Sequence, residues 1–275
     1  MMKKILGLLI AFMMATQAFA SIAVAPMRLE IDANKFRGNY ITTSINVTGD
    51  KRKPMRFKVS PGYFKLNENN DLMVLPSDSN DPYDISKKVK FVPSEFTVLP
   101  GKSQRVRLNI LNLNKFADGE SRAILFIEDV EPKEIAVDTG RAGYGAQLII
   151  KTRLGVPIYI DKGKVSKIGE IEEFKVVQAK DGLYTQIKIS SKGNSRIRYE
   201  GKIQIIQGKK LIDEYAIDDH VVGLGTSYTT TDKIKVDKIK QGGEYTLRAI
   251  IHYMDGNGKR QNLKQEIPLN IKGNT

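Results

Sequence analysis

Few residues in this chain could move a proton, hold a metal or attack a carbon. There are two histidines, His220 and His252, and no cysteine. Thiol catalysis and cysteine metal sites are therefore excluded. Neither histidine has a second at metal-ligand spacing, so no zinc signature exists. His220 follows Asp218 and Asp219 and is expected as a surface turn residue; His252 falls in a strand phase and is expected as an ordinary sheet residue. No Gly-x-Ser-x-Gly elbow and no Ser-x-x-Lys occurs. Gly223-Leu224-Gly225 lacks a third glycine and a βαβ context, so it reads as a loop. Acidic pairs such as Glu172-Glu173 read as solvated faces rather than a glycosidase pair. The expectation is a chain that is not an enzyme and holds neither a metal nor another cofactor.

What remains is recognition by charge and by backbone. The 275 residues carry a formal net charge of +13. Nucleic acid is the reflex partner for such a charge, but two features argue against it. The lysines alternate through strand-like segments instead of forming a block, and the chain opens on an export signal. Lys3 and Lys4 make a positive start, Ile5 to Met14 an apolar run, and Ala18-Phe19-Ala20 a small-x-small cleavage site. Residues 1–20 are expected to leave after Ala20, which would place the mature chain in the periplasm, at the cell surface or in the medium. No other apolar run approaches the ~18 residues of a membrane span, so no integral membrane segment is expected in the mature chain. Acidic partners, a membrane surface or carboxylate groups suit the charge better.

The elements that must position any such recognition are β-strands. From residue 21 on, apolar residues alternate with polar ones, as in Met55, Phe57 and Val59 or Val106, Leu108 and Ile110. Turn signals punctuate them, among them Thr48-Gly49-Asp50, Lys180-Asp181-Gly182 and Asp255-Gly256-Asn257-Gly258. Residues 67–83 read as a long surface loop with one hairpin. Asp118-Gly119-Glu120-Ser121 reads as a turn, and a strand is expected at 233–236. An exported chain without disulfides must rely on hydrophobic cores, which two domains of ordinary size can supply. The fold class is therefore all-β: two tandem immunoglobulin-like β-sandwiches after a cleaved signal peptide. The boundary is expected where the composition changes at Asp161-Lys162-Gly163-Lys164, dividing the chain into residues 21–161 and 162–275.

One stretch is unusual. Residues 143–160, GYGAQLIIKTRLGVPIYI, place Tyr144, Ala146, Leu148, Ile150, Thr152, Leu154, Val156, Ile158 and Ile160 in one strand phase. All but Thr152 are apolar. As a single strand the run would span on the order of 50–60 Å, at least twice the usual length. Two readings follow. It is a sandwich strand that runs on into an interdomain linker, or its apolar residues are offered to a partner's sheet.

Four places resemble the periplasmic chaperones of pilus (fimbrial) assembly, in a divergent branch of the chaperone–usher family. Ala25-Pro26-Met27-Arg28-Leu29 looks like that family's first strand, with an arginine before an apolar residue. Residues 98–108, VLPGKSQRVRL, match its Leu-x-Pro-Gly turn and Val-Arg strand. Asp118-Gly119-Glu120-Ser121 resembles its Asp-Arg-Glu-Ser turn, with Gly119 in place of the arginine. Residues 147–160 resemble the last strand of its first domain. The resemblance covers residues 21–160; beyond them only length and β-pattern agree.

The resemblance implies a function. Such a chaperone lends its own strand to a pilus subunit that lacks one, and delivers the subunit to an outer-membrane usher. Strand addition of this kind is a known recognition mode, with chaperone–pilin pairs among its standard examples. The implied donor residues are Tyr144, Ala146, Leu148 and Ile150. The family also holds the subunit's terminal carboxylate with a basic pair. Arg28 matches the first member. The second, a lysine in the family, falls on Gly155, so the resemblance nominates Arg153 in its place, with Arg107 as a lesser substitute. The rival reading is a secreted immunoglobulin-like surface protein that binds glycan or mediates adhesion.

Overall fold

The computed structural model describes residues 22–77, 80–131, 133–138, 145–234 and 243–270. The expected signal peptide and its cleavage site lie outside them. No helix among the described residues is long and apolar enough to cross a membrane. Period-two alternation becomes strand almost throughout, because alternate side chains point to opposite sheet faces and one face can be buried.

The first half contributes β1 (Ala23–Ala25), β2 (Leu29–Asp32), β3 (Tyr40–Thr48), β4 (Met55–Leu66), β5 (Leu72–Leu75), β6 (Val89–Val92), β7 (Glu95–Val98), β8 (Ser103–Leu111), β9 (Gly119–Asp129), β10 (Lys133–Asp138), β11 (Gly145–Ile150) and β12 (Arg153–Lys162). One sheet runs in the order β1-β3-β8-β6 and the other β2-β12-β9-β4-β5, with β7 also on β4. Their facing sides bury Ile45, Val47, Phe57, Val106, Leu108, Leu125, Ile127, Val156, Ile158 and Ile160 in one core.

The second half contributes β13 (Gly169–Ala179), β14 (Gly182–Ser191), β15 (Ile197–Gln207), β16 (Lys210–Val222), β17 (Ser227–Lys233), β18 (Glu244–Met254) and β19 (Arg260–Asn270). Its sheets are β13-β14-β17 and β16-β15-β18-β19. A separate core of Ile187, Ile189, Tyr199, Ile203, Ile205, Leu247, Ala249 and Ile251 lies between them. The fold is two tandem β-sandwiches, as the alternation implied.

Three local expectations are corrected. Residues 143–160 are not one strand: β11 ends at Ile150 and β12 starts at Arg153. The Asp129 backbone N–H donates to the Thr152 carbonyl at 3.0 Å where the ladder changes over. Glu120 and Ser121 are buried strand residues of β9 rather than an exposed turn. His220 is not a turn residue but lies in β16, half-buried, its ring 5.6 Å from that of Tyr199 and 5.2 Å from that of Tyr228. Of the strand expected at 233–236, Lys233 is the last residue of β17 (Ser227–Lys233), a strand whose run of threonines hides its period in the sequence, and residues 235 and 236 lie outside the described residues.

Candidate functional site

β12 is the strand that joins the two sequence features of interest. It pairs antiparallel with β9 from Arg153 to Lys162, and parallel with β2 from Ile158 to Asp161. N-terminal to Ile158, its second edge has no strand partner among the described residues. β11 continues that edge outward and pairs on its other side with β10, from Gly145–Asp138 to Ile150–Lys133. The two form a ribbon separate from the six-stranded sheet. An open edge presents unpaired N–H and C=O groups, which seek partners.

Large aliphatic side chains lie on this ribbon. Ile149 is 56% exposed and Ile150 39%. Of the four expected donor residues, Ala146, Leu148 and Ile150 fall in β11, in one strand phase, and Tyr144 lies outside the described residues. The phase continues into β12, where Leu154 packs on the first core and Val156, Ile158 and Ile160 are buried in it. One alternation thus serves two purposes. Its C-terminal half fills the sandwich and its N-terminal half extends beyond it.

The opposite phase of β12 faces away from the core, toward the joint between the sandwiches. Gly155 lies there, opposite Phe126, with Gly62 of β4 opposite Ile124. A Cβ on Gly155 would come within 2.7 Å of Ile124 Cδ1, and one on Gly62 within 2.5 Å of the Phe126 ring. The two glycines let Ile124 and Phe126 spread over the sheet. These side chains form a small second cluster with Phe64 and Tyr159, partly covered by Leu66. The Arg153 guanidinium lies over the Phe126 ring, 3.5 Å from its centroid. It forms no ion pair with a described residue. The aromatic face attracts the cation without neutralising it.

Arg28 lies on the same face. Its neighbour Leu29 pairs with Ile158, which puts Arg28 beside Pro157 and about 13 Å along the strand from Arg153. Gly155 lies between them. The structure therefore sets Arg28 and Arg153 on one face, with Gly155 between them covered by Ile124 and Phe126. Arg107 lies elsewhere: it is an outward residue of β8, in the other sheet, with the core between it and the other two arginines.

Arg28 is not alone. Its Nε lies 3.3 Å from Glu30 Oε1. Glu30 Oε1 also accepts from Arg198 Nη2 at 2.7 Å, and Glu30 Oε2 lies 3.8 Å from Arg196 Nη2. Burial alone would raise the Glu30 carboxyl, but the charges of Arg196, Arg198 and Arg28 together hold it below its usual value. Arg198 Nη1 also bonds Asp219.

Behind Glu30 lies a buried ionic cluster that ties the sandwiches together. The Arg196 backbone N–H and its Nη1 both donate to Glu120 Oε2, at 3.1 and 2.8 Å. The Glu120 side chain is fully buried and that of Arg196 only 7% exposed. Arg196 stacks on Tyr159 at 4.2 Å and lies 3.6 Å from Asp161 Oδ1. Asp161 also accepts from Ser195 Oγ at 2.7 Å and pairs with Lys167 at 2.8 Å. Burial would lower the Arg196 pKa, but Glu120, Asp161 and Glu30 more than offset this and raise it. A cleft of about 410 Å³ opens beside the cluster, lined by Glu30, Lys167, Arg198, His252, Met254 and Arg260 among others.

A second contact lies at the tip of the β4–β5 hairpin. Asn70 Nδ2 donates to the Val221 carbonyl at 2.7 Å, and Asn70 Oδ1 accepts from the Gly223 N–H at 2.8 Å and from Thr226 Oγ1 at 3.1 Å. Nothing in the sequence marked Asn70, Glu30, Arg196 or Arg198.

Several solved structures align with this chain along most of its length. A Pseudomonas aeruginosa CupB2 chaperone aligns with a TM-score of 0.43 and 11% identity, over 89% of this chain and all of that one. The class 5 fimbriae chaperone CfaA aligns at 0.46 and 12%, over 90% and 100%. A Salmonella enterica SafA pilin in complex with the SafB chaperone gives 0.42 and 12%, over 93% and 99%. No family model matches, and no curated protein does. The functional reading below therefore rests on the chain's own residues.

Proposed function

We propose that this protein is a periplasmic chaperone of fimbrial subunits, which it holds by lending them a strand and passes to an outer-membrane usher. The observation that carries the reading is the ribbon: β11 lies outside the six-stranded sheet, its second edge meets no described strand, and Ile150 of the donor phase is exposed. A subunit that lacks a strand has the complementary defect, an open edge and an exposed groove that takes apolar side chains at every second position. Tyr144, Ala146, Leu148 and Ile150 supply that phase. Each large aliphatic side chain so buried contributes roughly 1.5–3 kcal/mol.

Arg28 and Arg153 are the proposed anchor. The subunit's terminal carboxylate lies between the two guanidiniums, above the Ile124 and Phe126 side chains that cover Gly155, and this charge-assisted contact sets the register of the added strand. Arg107, on the far sheet, has no part in it. Arg153 takes the place of the family's lysine because Ile124 and Phe126 occupy the space above Gly155 and Phe126 holds the arginine.

The test is capture from periplasmic extract by the tagged mature protein, with the bound material identified by mass spectrometry. A stoichiometric secreted partner of about one domain is expected. The double variant Leu148→Asp/Ile150→Asp should fold with an unchanged melting temperature and lose that partner. Undiminished capture by the double variant would sink the strand assignment. A partnerless protein from cells making fimbriae would favour a surface-binding module instead.

A further inference from the structure

We infer that Glu30 is an internal stand-in for the partner's carboxylate, occupying Arg28 in the empty protein and competing with the incoming carboxylate for it. The inference rests on the reading of Arg28 as the anchor. It goes beyond that reading by assigning a residue that sets how tightly the anchor binds.

The geometry is that of a competitor. Glu30 is two residues from Arg28 on the same outward strand face, and its Oε1 already lies 3.3 Å from Arg28 Nε. The same oxygen accepts from Arg198 Nη2 at 2.7 Å, and the second oxygen faces Arg196. Glu30 can release Arg28 without being stranded, because both arginines of the second sandwich remain beside it. It also lines the 410 Å³ cleft on the side of Arg196 and Arg198, so its contacts with those arginines border open space; Arg28 does not line that cleft. The Arg28 side chain is 52% exposed and that of Glu30 33%, which leaves room for a second carboxylate to approach the guanidinium. In the empty protein the pair compensates a cation that would otherwise face solvent anions. In the loaded protein the incoming carboxylate takes Arg28 while Glu30 keeps Arg198.

Such a competitor lowers affinity for carboxylate and for nothing else. Removing its charge should therefore strengthen carboxylate binding roughly threefold, the scale of one partly exposed ion pair. The probe is N-acetylphenylalanine, a free carboxylate with an apolar tail, with its amide as control. Binding to the full mature chain is followed by NMR of the arginine side-chain N–H signals. Glu30→Gln should bind the acid about threefold more tightly than the wild type, the amide should bind to neither, and Arg28→Ala/Glu30→Gln should lose the acid. Thermal melts of each variant confirm that it is folded. If Glu30→Gln and wild type bind the acid equally, and Arg28→Ala still abolishes it, the competition is wrong and the anchor stands. If no variant shows carboxylate-dependent binding, the anchor and the competition both fall.

Discussion

At the scale of single residues, Arg196 carries the largest consequence. Glu120 lies wholly inside the joint and its Oε2 depends on two donors from Arg196. Cutting back the arginine leaves a buried carboxylate short of charge, which typically costs about 3–5 kcal/mol. Arg196→Met keeps the apolar stem over Tyr159 and should destabilise the protein on that scale in urea unfolding. Arg196→Met/Glu120→Gln should recover part of the loss, since the carboxylate charge is gone while the buried Arg122, 3.6 Å from Glu120 Oε1, gives up its partner. A double variant no better than the single would show that packing on Tyr159 matters more than charge. None of this was legible in the sequence. Arg196 and Arg198 read as two more basic residues of a basic chain. What makes one of them structural is a partner 76 positions earlier, which only the fold supplies. Arg28 is the converse: its place on the strand was readable from its neighbours, but its contact with Glu30 was not, because many glutamates with arginines two residues away simply face water.

Elements were legible where one period dominates. The phase of residues 154–160 points into the core as the alternation required, because Val156, Ile158 and Ile160 have no other apolar surface to join. The break at residues 151–152 was not legible. An unbroken alternation gives no sign of where a sheet ends and a ribbon begins, and that depends on where β2 and β9 stop. The β4–β5 hairpin was expected in a stretch of polar residues, but its role as a clasp was not. Asn70 reaches the second sandwich from a left-handed backbone conformation, φ 67°. Asparagine tolerates that conformation better than residues without a short polar side chain. Two substitutions separate these contributions. Asn70→Gly removes three hydrogen bonds but keeps the turn, a loss on the order of 1–3 kcal/mol. Asn70→Ala should lose roughly another 1 kcal/mol by strain. Chemical denaturation should show the two sandwiches unfolding less cooperatively in both variants. Equal stability of the two would mean that the turn's backbone is not under constraint.

For the whole molecule, the joint makes the relative placement of the sandwiches sensitive to acid. Glu30 links both halves, and its carboxyl sits below its usual 4.5 because three arginines outweigh the effect of burial. A group whose pKa is lowered by folding stabilises the fold fully above its unfolded value. That contribution is lost as pH falls through the lower folded value. The joint should therefore be indifferent to pH from neutrality down to about 4.5, and loosen below it as Glu30 takes up a proton and releases Arg198. Glu172 is also held low, at about 2, by Lys192 and Lys188, but those partners belong to its own sandwich and do not bridge the two. The measurement is small-angle scattering between pH 7 and 3, with circular dichroism to check that the strands persist. The radius of gyration should rise below pH 4.5 while strand content holds. In Glu30→Gln the joint should already be slightly looser at pH 7, and the acid-induced step should shrink, since the neutral amide has no proton left to gain. An acid step of full size in that variant would move the responsibility to Asp161 or Glu120. The ribbon of β10 and β11 would then be positioned, at low pH, by carboxylates that lie deeper in the joint than Glu30.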